Sequence, residues 1–274
     1  MQVTMATSPS RPEGPNEDFT AALPHAAVLL DGAGIPVNDS CAHGVAWYTR
    51  RLGAALLAGL AADDHQELTA ILAAAIGEVR DLHADTCDVD SPDSPSATVV
   101  LLRLDGGRAD YLVLADSVLL LDTADGEPVV ICDERNATFA AQHRAAMIAA
   151  SHGTPEQHRA HLAYIEAVRV HRNRPDGFWV AAAEPRAAYE ALTGSVSVGD
   201  LRAVALLSDG AARLVTPFAL IDWAGLAELL RQEHPAEIVT AVRAAEHYDR
   251  DGQRWPRAKL RDDATIAYCT RLGG

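Results

Sequence analysis

The stretch Ala26-Ala27-Val28-Leu29-Leu30-Asp31-Gly32 decides the fold. Its five apolar residues form a short run that reads as a buried strand. The Asp-Gly pair that ends it is a tight-turn dipeptide. A carboxylate at Asp31 then stands at the mouth of a strand, beside a glycine whose carbonyl can approach an ion closely. One such pair is only a turn. Here the pattern recurs: Ala203-Val204-Ala205-Leu206-Leu207-Ser208 runs into Asp209-Gly210, and Asp262-Asp263 precedes the strand-like Ala264-Thr265-Ile266-Ala267-Tyr268-Cys269. Asp18, in Asn16-Glu17-Asp18-Phe19, lies just upstream of the first run. These acids sit at strand ends scattered along the chain, and a fold can gather them.

Outward from that stretch, helical spacing of Val45, Tyr48, Leu52, Leu56 and Leu60 predicts a helix beginning near His43. A second amphipathic helix follows, with Leu68, Ile71, Leu72, Ala75, Ile76, Val79 and Leu82 on one face. Two such helices after a strand form one cover layer. The acidic segment 85–96 reads as an exposed loop. Residues 97–104, 109–115, 118–122 and 127–132 read as a β-meander with turns at Asp105-Gly106-Gly107 and Ala124-Asp125-Gly126. Asp116-Ser117 interrupts it, as a reversal or a functional acid. From 135 to 199 the character is helical, with a loop at 171–177. Thr154-Pro155-Glu156-Gln157 is a helix start, capped by Thr154. Helices at 222–232 and 235–248 and a basic loop at 250–261 lead to the last strand. Residues 1–15 read as a flexible tail, followed by one domain over 16–272 with a variable insertion around 135–199. Strands interleaved with helical hairpins suggest two antiparallel sheets packed together, with helices outside.

The chain has 274 residues and a net charge of -15, which argues against nucleic acid as a partner. No stretch is long and apolar enough to span a bilayer, so a cytoplasmic protein is expected. Cys41, Cys87, Cys132 and Cys269 are far apart, with no C-x-x-C pair. That spacing indicates neither zinc nor disulfides. His158 and His161 share a helix face, but other ligands are lacking.

Carboxylates that converge repel one another: two unit charges 4 Å apart cost about 4 kcal/mol at an effective dielectric of 20. Divalent cations relieve this, and all-oxygen ligation selects Mg2+ or Mn2+. Two such ions can share a water, make it a nucleophile and neutralise phosphoryl oxygens. There is no G-x-S-x-G elbow and no Cys-His signature to suggest a side-chain nucleophile.

The order of motifs resembles the metal-dependent type 2C serine/threonine protein phosphatases. Asn16-Glu17-Asp18, Asp31-Gly32-x-Gly34, Ser96-Ala97-Thr98, Ala115-Asp116-Ser117, Ser208-Asp209-Gly210 and Asp262-Asp263-Ala264-Thr265 match that family's motifs in order. The resemblance implies a four-layer α-β-β-α sandwich and a bacterial Mn2+- or Mg2+-dependent phosphatase acting through a metal-activated water. It also implies site roles. Asp31 would bridge two ions, with the Gly32 carbonyl on one and Asp209 and Asp262 on the other. Glu17 and Asp18 would act through bound waters.

The departures are specific. The family's phosphate-gripping arginine, three residues before the Asn, is Glu13 here, with Arg11 nearby at another spacing. The histidine proposed as general acid in some relatives is Ala33, with His43 a possible substitute. The acid four residues after Asp209 is Arg213, which speaks against a third ion even though Asp116 is kept. Arg213 would instead place a fixed positive charge where that ion would sit. Three readings stay open: a phosphoserine/phosphothreonine protein phosphatase, a hydrolase of small phosphoesters, and a phosphatase-like regulatory module without turnover.

Overall fold

The computed structural model describes residues 1–34, 40–62, 65–139, 141–150 and 153–273. Part of the loop after Asp31, including Pro36 and Asn38, lies outside them. Among the described residues, ten strands form two antiparallel five-stranded sheets. The first contains β2 (Phe19–Leu23), β3 (Ala26–Ala33), β4 (Ser96–Asp105), β5 (Arg108–Leu114) and β8 (Leu192–Ser197), in that spatial order. The second runs β1 (Gln2–Ser8), β10 (Ala264–Thr270), β9 (Leu201–Leu207), β6 (Val118–Thr123) and β7 (Val129–Ile131).

Side-chain alternation on β3 shows why its apolar run is unbroken. Ala26, Val28 and Leu30 face outward and pack on Tyr48, Leu52 and Leu56 of α1 (Val45–Ala61) and Leu72 and Ile76 of α2 (Leu68–His83). Ala27 and Leu29 face inward, where they meet Leu119, Leu121, Val204, Leu206 and Ala267 of the other sheet. The outer face of that second sheet, with Leu120, Ala205, Leu207 and Ile266, is covered by α6 (Trp223–Gln232) and α7 (Pro235–Tyr248). The result is a four-layer α-β-β-α sandwich. Leu29 is fully buried between the sheets. Leu29→Ala should therefore cost about 2–5 kcal/mol, read as a lower urea midpoint with an unchanged slope.

Three expectations are corrected. Residues 1–15 are not a loose tail throughout: β1 pairs with β10 from Gln2↔Thr270 to Ser8↔Ala264. Its sequence, Gln-Val-Thr-Met-Ala-Thr-Ser, is weakly apolar, and its partner lies at the far end of the chain. The meander is split between the sheets. β4 and β5 form a hairpin, but β5 pairs next with β8, while β6 pairs with β7 and β9. Residues 115–117 carry the chain across. Finally, the region 135–199 is helical in α3 (Arg135–Phe139), α4 (Ala141–Ala149) and α5 (Pro155–His171), yet it ends in β8. The Thr154 hydroxyl accepts the Gln157 N–H at 3.2 Å, capping α5. Trp179, at 1% exposure, belongs to the core beneath α1 and α2.

Candidate metal centre

Strand register brings the acids to one edge of the sandwich. Phe19 pairs with Leu30, so Asp18 lies beside Asp31 at the end of β3. Ile266 pairs with Leu207, so Asp209, beyond β9, lies beside Asp262, ahead of β10. The two sheets meet there: the Asp209 N–H donates to Asp31 Oδ2 at 3.2 Å. Asp116 stands on the crossing between β5 and β6 at the same edge. Its Oδ2 accepts the Asn136 side-chain N–H at 2.7 Å. Beneath that crossing the Thr98 and Ser117 hydroxyls are hydrogen-bonded at 2.5 Å. Ala115 holds a left-handed φ of 67° to make the turn.

Two glycines are required by close approach rather than by flexibility. A Cβ on Gly32 would lie 2.4 Å from the Glu17 carbonyl oxygen and 2.6 Å from a Val45 methyl. A Cβ on Gly210 would lie 1.8 Å from the Asp263 carbonyl oxygen. Each Asp-Gly turn is thus pressed against the neighbouring acidic segment. Asp263 then ties in the N-terminal segment: its two oxygens accept the Ser10 and Glu17 N–H groups, each at 2.6 Å.

The electrostatics are those of crowded anions. Burial raises the Asp18 carboxyl to about 7, and the Asp263 and Asp209 charges push the same way. The Thr265 and Ser208 hydroxyls pull against this, but neither hydrogen-bonds it with normal geometry, and both Asp18 oxygens are buried without a partner. Asp31, half-buried at the base of the edge, is raised well above the carboxylate range. Burial is the main cause, followed by Asp18, Asp209 and Asp262. Asp262 is raised by burial and by Asp209, and Lys259 and Arg213 oppose the rise. Glu17, half-buried, is raised by burial and by Asp263.

Lys259 is a site residue that the sequence reading missed. Its ammonium lies 2.9 Å from Asp262 Oδ1. Crowding by the surrounding protein disfavours its charge, but Asp262, Asp209 and Asp31 together hold its pKa above the lysine range, although the side chain reaches solvent. The signal was present: it is the one lysine in the chain, three residues before Asp262.

Arg213 is buried behind the edge, 2.6 Å from Glu246 and 3.3 Å from Asp262 Oδ2. It braces Asp262 from the inside. His43 is engaged elsewhere: its ring contacts Cys41, Cys87, Trp47 and His83. On α5, burial raises the Tyr164 phenol, which also feels Asp116, Asp209 and Lys259, so that helix flanks the acidic edge. A cavity of about 450 Å³ lies at the opposite end of the sandwich, between Tyr111, Thr123 and Val196. It includes none of the acids, and the candidate centre is an open edge instead.

Among the described residues, the trio of possible ligands whose atoms all lie within 4.8 Å of one another is Cys41, His43 and Cys87. The carboxylates stand further apart, with Asp262 turned to Lys259 and Arg213. Even so, crowded carboxylates with mutual repulsion, those of Asp18 buried and unpartnered, fit hard divalent cations.

An acid-lined edge shared by two antiparallel sheets, with helices on both outer faces, is an arrangement suited to hard divalent cations. The chain belongs to the protein phosphatase 2C family of serine/threonine phosphatases, whose family description matches residues 7–245. Among solved structures it is similar to the serine/threonine phosphatase PstP/Ppp of Mycobacterium tuberculosis, at 18% identity and a TM-score of 0.56, covering 98% of this chain and 97% of that one. The PstP catalytic domain in complex with two manganese ions gives 18% identity and a TM-score of 0.57 over 98% and 97% of the two chains. The phosphatase MsPP of Mycobacterium smegmatis, in complex with cacodylate, gives 18% identity and a TM-score of 0.57 over 100% and 99%. No curated protein matches the sequence. No helix among the described residues is long and apolar enough to cross a membrane.

Proposed function

We propose that this phosphatase hydrolyses phosphoserine and phosphothreonine monoesters in protein substrates, at the edge where Asp31 of one sheet meets Asp209 of the other. The observation that carries the reading is that meeting, together with the buried and unpartnered Asp18. Asp18, Asp31, Asp209, Asp262 and the Gly32 carbonyl would hold two Mn2+ or Mg2+ ions. Such ions supply a water acidic enough to attack phosphorus, and charge to stabilise the phosphoryl oxygens. The chain's own part is positioning. The Asp209 N–H fixes Asp31 Oδ2, Arg213 steadies Asp262, and Asp263 holds the segment that carries Glu17 and Asp18.

With Glu13 in the usual arginine position, Arg11 is the phosphate-binding candidate. It is exposed, and its charge is felt by Glu17 at the edge of the acidic group. The test is hydrolysis with manganese of a phosphothreonine peptide and of p-nitrophenyl, sugar and nucleotide phosphates. The peptide should be the preferred substrate, chelation should abolish turnover, and Arg11→Ala should raise KM more than it lowers kcat. Turnover that survives chelation refutes the metal mechanism. Preference for a small ester reassigns the substrate class, and metal binding without any turnover leaves a regulatory module.

A further inference from the structure

A second group of ligands lies apart from the acidic edge. The loop entering α1 and the turn leaving α2 are laced by the Asp88 N–H, which donates to the Ser40 carbonyl at 2.9 Å. At this junction Cys41 Sγ and Cys87 Sγ are 3.3 Å apart, and His43 Nδ1 lies 3.3 Å from Cys87 Sγ and 3.9 Å from Cys41 Sγ. A tetrahedral zinc ion, with Zn–S of about 2.3 Å and Zn–N of about 2.0–2.1 Å, separates two sulfurs by about 3.8 Å and sulfur from nitrogen by about 3.6 Å. Each side of the triangle is within about 0.5 Å of that requirement. A disulfide needs its sulfurs at about 2.05 Å, much closer than they stand.

The histidine is already oriented for such a role. Its ring stacks on Trp47 at 4.4 Å between centroids, and His83 meets that indole edge-on at 5.2 Å. Packing therefore fixes the plane of the ring, and in that plane Nδ1 faces the two sulfurs. His43 is exposed, so a fourth position faces solvent, where a water can complete the coordination. Two sulfurs and one imidazole suit a borderline-soft ion, whereas the oxygen-only edge at Asp31 suits hard ones.

We propose that Cys41, His43 and Cys87 form a binding site for a divalent ion of the zinc class, distinct from the phosphatase centre. The site staples the residues entering α1, from Ser40 to Gly44, to the turn after α2. Its test is a cobalt(II) titration of the reduced, metal-free full chain, followed by absorption.

One equivalent should produce a near-ultraviolet thiolate-to-cobalt band with the strong visible bands of tetrahedral cobalt, and zinc should remove both in equal ratio. The oxygen ligands of the acidic edge give no thiolate band, so Asp31→Asn keeps the signal, as does Cys132→Ser. Cys41→Ser and Cys87→Ser should abolish it while circular dichroism shows each variant folded. Absence of the band in the unmodified chain overturns the proposal. So does a band that persists in the double Cys41→Ser, Cys87→Ser variant, or a Cys41–Cys87 disulfide that survives in reducing buffer.

Discussion

Asp31→Asn should leave a folded protein whose manganese-dependent hydrolysis of p-nitrophenyl phosphate has fallen by a factor on the order of 10²–10³. Asparagine keeps the shape of aspartate and an oxygen that can accept the Asp209 N–H, so the link between the sheets survives. What is lost is the charge nearest the other three acids, and with it the ability to hold hard cations. The same substitution should raise the stability of the metal-free protein. Asp31 is held above its ordinary pKa by burial and by Asp18, Asp209 and Asp262, so ionising it works against folding. Less active but more stable is the pattern to look for, by steady-state rates and by urea unfolding in chelator. A variant both inactive and destabilised would mean that Asp31 is a structural residue.

The second large effect is on stability against pH. A carboxyl raised in the folded state keeps a proton that the unfolded chain has released. Its contribution is therefore present below the unfolded value and is lost as pH rises through the folded one. For Asp18 the window runs from its ordinary 3.8 to about 7, and the loss is at most ~4 kcal/mol. Asp31, Asp262 and Glu17 are shifted in the same direction. Manganese reverses the slope, because it binds the ionised acids and competes with their protons. At a hundred times its dissociation constant it adds about 2.7 kcal/mol. Urea unfolding at several pH values, with chelator and with manganese, gives two curves that should diverge between pH 4 and 7. Acids the metal does not touch cancel in the difference. Parallel curves would show that no cation binds at this edge.

The parts of this architecture that could be read from the residues are those buried on both faces. The run ending at Asp31 is continuous because Ala26, Val28 and Leu30 meet helices while Ala27 and Leu29 meet the other sheet. The cap at Thr154 was readable for another reason: it is a contact between residues three apart. β1 and β8 were not, since edge strands bury little, alternate weakly, and here pair with distant partners. Nor does a turn such as Ala115-Asp116-Ser117 announce that the chain is changing sheets.

The acids of the centre could be picked out because strand ends mark them. Lys259 and the anchoring role of Asp263 depend on side-chain directions, which spacing does not carry. Cys41 and Cys87, 46 positions apart, carry no zinc or disulfide spacing in the sequence, and only the meeting of two loops joins them.

The clasp between Asp263 and Ser10, residues 253 positions apart, has a consequence for how the enzyme comes into being. Translation runs in one direction, and the segment bearing Asp262 and β10 is made after the other strands and helices of the sandwich. Until it has left the ribosome, β1 has no neighbour and the cluster lacks one of its four core aspartates. The N-terminal strand and the acidic cluster are therefore completed together, when β10 docks beside β1.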